Sequence, residues 1–192
     1  VHPDQVKRND RAEAGDVLIL SKPIGVGILS AALKKGKLSD DGYRSMIEIT
    51  TQLNKPGTQL AAMPGVHALT DITGFGLLGH LLEICRGSGL TAEIDYSRIP
   101  LLPLANLLAQ EGFITGASDR NWLAYGEDID LPGSMADWQR KLLADPQTSG
   151  GLMVACKPAV ADEVLALFHR SGFAAAATIG TMRSGANKVV VK

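Results

Sequence analysis

The stretch Thr70 to Glu83, TDITGFGLLGHLLE, places the carboxylate of Asp71 and the hydroxyl of Thr73 directly ahead of three glycines and an apolar run. Gly74, Gly76 and Gly79 have G-x-G-x-x-G spacing, which lets backbone N–H groups approach a dinucleotide pyrophosphate at a helix N-terminus. A strand-like run, VHALTD, comes before them, and Asp95 follows about 20 residues on, where that fingerprint puts its ribose-binding acid. Against this, Thr70, Asp71, Ile72 and Thr73 intervene, and a bare carboxylate beside the anion site would repel phosphate. The conflict disappears if Asp71 holds a divalent cation, because magnesium uses one or two carboxylates together with substrate phosphate oxygens. In this reading Gly74 and Gly76 let backbone N–H groups come close to phosphate, the Thr73 hydroxyl donates to a phosphate oxygen, and the positive end of the following helix helps. The plainer alternative stays open on spacing alone: Asp71 or Thr73 caps the helix, and the glycines allow close packing on a sheet.

A second polar segment, DPQTSGG from Asp145 to Gly151, offers a carboxylate, two hydroxyls and two glycines ahead of an apolar run. It suits a ligand-facing loop, and equally an Asp-Pro turn whose glycines meet backbone demands. SKPIGVG, Ser21 to Gly27, is another strand-to-helix glycine turn with Lys22 available to an anion, although a lone lysine there is more often solvated than catalytic. His80 has no second histidine or cysteine nearby and is expected to be structural. Cys85 falls on an apolar helix face, which favours a buried thiol. Cys156, at the end of a strand-like run, has no demonstrable His or Asp partner.

The elements that must position these residues follow from periodicity. Asp16 to Lys22 reads as a buried strand, ILSAALKKG as a helix stopped at Gly36, and YRSMIEITTQLN as a helix capped by Ser39 and broken at Pro56-Gly57. VHALTD is a strand, FGLLGHLLEICRG a helix closed by Gly87-Ser88-Gly89, and TAEIDY a strand, together one strand-turn-helix-strand unit. Leu101 to Gly112 reads as helical. Phe113 to Gly133, rich in Gly, Asn, Asp and Ser, reads as a long irregular surface segment. A helix through ADWQRKLLA, a strand GLMVACK, a helix from Pro158 to about Ser171, and strands near AAATIG and KVVVK complete an α/β arrangement, a mixed sheet covered by helices.

Composition bounds the function. A chain of 192 residues, 45% hydrophobic and 20% charged, suits one globular domain. A net charge of -1 gives no support to sequence-independent nucleic-acid binding. Two widely separated cysteines suggest neither a zinc site nor a disulfide framework and fit a reducing cytoplasm. Apolar runs fall far short of the ~18 residues a membrane span needs. The chain opens at Val1 in a charged segment, so residues 1–15 are expected to lead in from something longer.

TDITGFGLLGHLLE and DPQTSGGLM together resemble signatures of the selenide, water dikinase (selenophosphate synthetase) family. The similarity continues through GDVLILSKPIGVGI and NKPGTQLAAMPG and spans essentially the whole chain. The resemblance implies a C-terminal domain, a sandwich like that of aminoimidazole ribonucleotide synthetase, in a two-domain ATP-dependent synthetase whose N-terminal ATP domain is absent here. It implies conversion of ATP, selenide and water to selenophosphate, AMP and orthophosphate, with magnesium and usually potassium, in a cytoplasmic homodimer. The family's magnesium-binding aspartate falls on Asp71, with Thr73 and Gly74 as adjacent phosphate contacts. The reactive cysteine or selenocysteine and the essential lysine belong to the missing domain, so no catalytic residue is expected here and this chain alone is expected to be inactive. Rival readings are a thiamine-phosphate kinase or hydrogenase-maturation relative, against which the paired motifs argue, and a non-catalytic partner or dimerisation module.

Overall fold

The computed structural model describes residues 6–192. Seven strands, β1 (Val17–Leu20), β2 (Val66–Asp71), β3 (Leu90–Ile94), β4 (Ile129–Asp130), β5 (Leu152–Cys156), β6 (Ala177–Ser184) and β7 (Val189–Val191), form one sheet. Eight α-helices surround it: α1 (Val26–Lys34), α2 (Asp40–Thr51), α3 (Gly57–Ala61), α4 (Gly76–Ser88), α5 (Ala105–Gln110), α6 (Gly116–Tyr125), α7 (Asp137–Leu143) and α8 (Pro158–Arg170). The strand order is β2-β5-β1-β6-β3-β7-β4. Pairing is antiparallel from β2 to β3 and parallel in β3-β7 and β7-β4, so the sheet is mixed as expected.

Side-chain alternation along the strands divides the core into two layers. Leu18 and Leu20 of β1, with Met153 and Ala155 of β5, face a large cluster that includes Ile28, Leu77, Leu81 and Ile84. Ile19, Val154 and Cys156 point the other way, toward Val164, Phe168 and Phe173. β5 is buried along its whole length, which is why LMVAC is continuously apolar instead of alternating. From β3, β6 and β7, by contrast, Ala92, Ile94, Ile179, Met182, Val189 and Val191 all join the large cluster, so the second layer covers only the β2-β5-β1 half.

Local signals explain most boundaries. Ser39 caps α2 by accepting from the Gly42 amide, and Asp40 and Asp41 occupy its first turn, where the helix dipole favours negative charge. α4 ends at Gly89, whose φ of 69° is left-handed. The lead-in segment is described from Val6 onward. The Leu69 amide donates to the Arg8 carbonyl (3.2 Å), and the Ala12 amide donates to Ser88 Oγ (3.0 Å).

Three expectations need correction. Phe113 to Gly133 is not irregular throughout, because it holds α6, capped by Thr115. That helix lacks an apolar stripe because its buried positions include Ser118 and Asn121, whose polar groups are used inside. α2 ends at Thr51, ahead of Pro56-Gly57, and that pair opens the short α3 instead of breaking a helix. Finally, β2, α4 and β3 follow one another in the chain but do not form a compact unit, since β5, β1 and β6 lie between the two strands.

Candidate functional site

The two glycine motifs lie side by side. β2 ends at Asp71, paired with Leu152, the first residue of β5. Beyond it the Ile72 amide donates to the Gly151 carbonyl (2.9 Å), and the Gln147 amide donates to the Thr73 carbonyl (3.0 Å). The two segments approach so closely that a Cβ on Gly150 would stand 2.1 Å from the Ile72 carbonyl oxygen. Asn121 reaches in from α6 and donates to the carbonyls of Gly74 (2.8 Å) and Ala144 (3.0 Å), tying the first motif to the residue just ahead of the second. Tyr125 donates to the Phe75 carbonyl (2.7 Å).

The glycines of TDITGFG are not equivalent. Gly76 has φ of 69°, and a Cβ there would lie 2.8 Å from the Ala144 carbonyl oxygen. A Cβ on Gly79 would meet the Phe75 Cβ at 2.6 Å. Both serve packing, against Ala144, Phe75 and Tyr125 and not against the sheet, and the Gly76 amide, expected to face phosphate, donates instead to the Thr73 carbonyl (3.1 Å). Gly74 is different, since a Cβ there would meet nothing within 4 Å. Among the described residues, no acceptor meets the amides of Gly74 and Phe75, which leaves two donors on open surface at the start of α4. Asp71 is exposed and forms no ion pair among the described residues. An unpaired carboxylate beside free amides is chemically suited to a cation carrying a phosphate. Among the described residues no three His, Cys, Asp or Glu gather as a metal cage. Asp71 is thus a single exposed carboxylate at this end of the sheet. A cavity of about 240 Å³, lined in part by Ser21, Glu48, Gln52 and Phe173, includes no residue of the Thr70 to Glu83 motif.

DPQTSGG does mostly structural work. Gln147 Oε1 accepts from the amides of Gly25 (3.0 Å) and Val26 (3.1 Å), and Asp145 Oδ2 accepts from the Ile28 amide (3.2 Å), so the start of α1 is capped from inside. The SKPIGVG turn is consequently not open to an anion. Lys22, expected in solvent, is 0% exposed and donates to the carbonyls of Ile49 (3.1 Å), Gln52 (2.7 Å) and Ser149 (2.7 Å). Burial lowers its pKa. The Ser149 carbonyl it holds belongs to a non-glycine residue at φ of 51°. Thr148 and Ser149 remain exposed at the loop edge.

Burial pushes the Asp145 carboxyl up to about 7, against the opposing pull of hydrogen bonds from Ile28, Gln147 and Gly27. Its Oδ1 has no partner. The folded state thus retains a proton that the unfolded chain releases near pH ~4. The resulting stability is complete below that range and is lost as pH rises toward about 7. In urea unfolding, the advantage of wild type over Asp145→Asn should shrink across this window by at most about 1.4 kcal/mol per pH unit. A difference that stays constant with pH would show that Asp145 titrates normally.

The other candidates separate cleanly. Cys85 and Cys156 are buried, and desolvation pushes their thiols up to about 11 and about 12, so neither is a ready nucleophile. Asp95 is engaged by the Ser97 hydroxyl (2.6 Å) and amide (2.9 Å), which hold its pKa below the ordinary carboxylate range. It lies four strand spacings from β2, roughly 19 Å, so it cannot complete a dinucleotide fingerprint. His80 is nearly buried, with Nε2 3.0 Å from Thr73 Oγ1 and Nδ1 3.2 Å from Glu83 Oε2. Asn121 and Gln147 are the positioning residues that periodicity could not reveal, because each acts through an amide side chain inside the fold.

A mixed sheet layered by helices, with two glycine segments side by side at one end, defines an α/β domain whose exposed polar surface lies at that end. Residues 13–192 match the family described as AIR synthase related protein, C-terminal domain, and the chain belongs to it. It is 60% identical to the selenide, water dikinase of Pseudomonas straminea and 59% identical to that of Burkholderia pseudomallei, each over 100% of this chain and 54% of the relative. The chain thus spans about half the length of the curated relatives it matches. Among solved structures, a thiamine-monophosphate kinase from Stenotrophomonas maltophilia has a TM-score of 0.67 at 21% identity, covering 100% of this chain and 54% of that one. The hydrogenase maturation protein HypE of E. coli has a TM-score of 0.66 at 21% identity, covering 97% and 48%. These two share the fold.

Proposed function

We propose that this chain is the C-terminal half of a selenide, water dikinase and supplies one wall of its ATP-phosphate site. The observation that carries this is 60% identity along the full chain to a protein of that name. The rival kinase and maturation-protein readings are supported only by structural likeness near 21% identity. The reaction proposed is conversion of ATP, selenide and water to selenophosphate, AMP and orthophosphate.

In this reading Asp71 holds a magnesium ion, and the amides at Gly74 and Phe75 receive phosphate oxygens. When bound, the ion neutralises phosphate charge, the dominant requirement in phosphoryl transfer. The chain's own residues orient and hold. Asn121 and Tyr125 pull the carbonyls of Gly74 and Phe75 inward, which leaves the amide edge of that turn toward the substrate. The nucleophile and the essential lysine come from the other half of the protein. The reading also carries potassium as a companion ion, a homodimeric complete protein and a cytoplasmic location. The described residues include no helix long and apolar enough to cross a membrane.

Phosphorus NMR provides the test. Given ATP, magnesium and anaerobic selenide, the complete protein should form selenophosphate and AMP, and this chain alone should form neither. Turnover by the chain alone would refute the division of labour. A folded, complete protein that makes no selenophosphate would favour a non-catalytic partner or dimerisation module.

A further inference from the structure

α4 carries a line of polar contacts that the metal and phosphate roles leave unused. Thr73 Oγ1 stands 3.0 Å from His80 Nε2, and His80 Nδ1 stands 3.2 Å from Glu83 Oε2. The imidazole is 7% exposed, and its ring is 5.9 Å from that of Phe75, so water has little access to it. An ionised carboxylate only accepts, so the Glu83 contact requires the proton on Nδ1. In the neutral ring Nε2 is then bare and has to accept, and the donor it meets is the Thr73 hydroxyl. With that tautomer the hydroxyl hydrogen goes to His80. In that tautomer Thr73, two residues along the chain from Asp71, has only lone pairs left to offer another partner.

We propose that His80, oriented by Glu83, is a positioning residue that makes Thr73 a hydrogen-bond acceptor toward the site, where its partner is a water carried by the divalent cation. This rests on the reading of Asp71 as a cation site and reverses the polarity expected for Thr73. A phosphate oxygen facing the hydroxyl would meet lone pair against lone pair. A metal-bound water supplies a donor, and magnesium keeps several waters when it binds protein through few carboxylates. The phosphate oxygens fall instead to the amides of Gly74 and Phe75.

The direct test is a two-bond proton–nitrogen correlation spectrum of His80 in the ¹⁵N-labelled chain at pH ~8, above the ordinary imidazole range. The neutral Nδ1–H tautomer is expected. The Nε2–H tautomer or an imidazolium would free the Thr73 proton and overturn the proposal. Glu83→Ala should mix the two tautomers, and an unchanged ring would remove Glu83 from the relay. In the complete protein, Thr73→Val should raise the magnesium concentration for half-maximal turnover about tenfold, the loss of one hydrogen bond. The KM for ATP should change little. A raised ATP KM with unchanged magnesium dependence would restore Thr73 as a phosphate donor. Because the ring measurement needs no turnover, an inactive wild type counts against the dikinase reading alone. The wrong tautomer counts against the relay alone.

Discussion

Asp71→Asn in the complete protein is expected to lower selenophosphate formation by about a thousandfold or more, in line with losing one preorganised charge in a phosphoryl-transfer site. The same change should shift stability by no more than about 0.5 kcal/mol, as exposed substitutions away from packed features usually do. The two halves of this expectation have one origin. Asp71 closes β2 with its backbone paired to Leu152, while its side chain is exposed and has no ionic partner among the described residues. Folding leaves that carboxylate unused. Asn keeps the shape and one neutral oxygen, so excess magnesium should restore part of the rate in Asp71→Asn and much less in Asp71→Ala. Phosphorus NMR and thermal melts on the same preparations decide the matter. Normal turnover by Asp71→Ala at ordinary magnesium would mean that the cation is held elsewhere, and a large fall in melting temperature would make Asp71 a structural cap.

The sequence disclosed those features that depend on nearest neighbours along the chain. Ser39 before a periodic run marked α2, and the apolar GLMVACK run marked the strand β5. α6 was hidden because Asn121 faces inward to serve two carbonyls, which removes the apolar stripe by which a helix is recognised. Lys22 was misjudged for a related reason. A lysine beside a glycine turn is ordinarily solvated, and only the fold supplies three carbonyls from Ile49, Gln52 and Ser149 to replace water. The position of the β2 terminus could be anticipated from TDITGFG, but its contact with DPQTSGG could not. That contact arises because β5 inserts beside β2 from far along the chain, a pairing that no local pattern encodes.

Within the paired motifs, two glycine-to-alanine changes should have opposite consequences. Gly150→Ala puts a methyl 2.1 Å from the Ile72 carbonyl oxygen, a backbone atom, and a methyl has no rotamer to escape with. The segments must therefore part. The displacement would strain the Ile72 amide bond to Gly151 and the Asn54 contact with the Gly150 carbonyl (2.9 Å). A loss of about 3 kcal/mol is expected, at the upper end of ordinary overpacking. In a chain of this size that corresponds to roughly 6–12 °C in melting temperature. Gly74→Ala meets nothing within 4 Å, and its melting temperature should stay within about 2 °C of wild type, equivalent to roughly 0.5 kcal/mol. Its methyl instead occupies the surface through which phosphate would reach the unpaired amides, so the ATP KM of the complete protein should rise about tenfold, equivalent to one lost hydrogen bond. The pair separates packing from recognition inside one motif. If Gly74→Ala bound ATP normally, phosphate would have to approach from another side of the turn. If Gly150→Ala melted like wild type, the two motifs would not be held in register by their backbones, and the placement of Asp71 beside DPQTSGG would lose its physical basis.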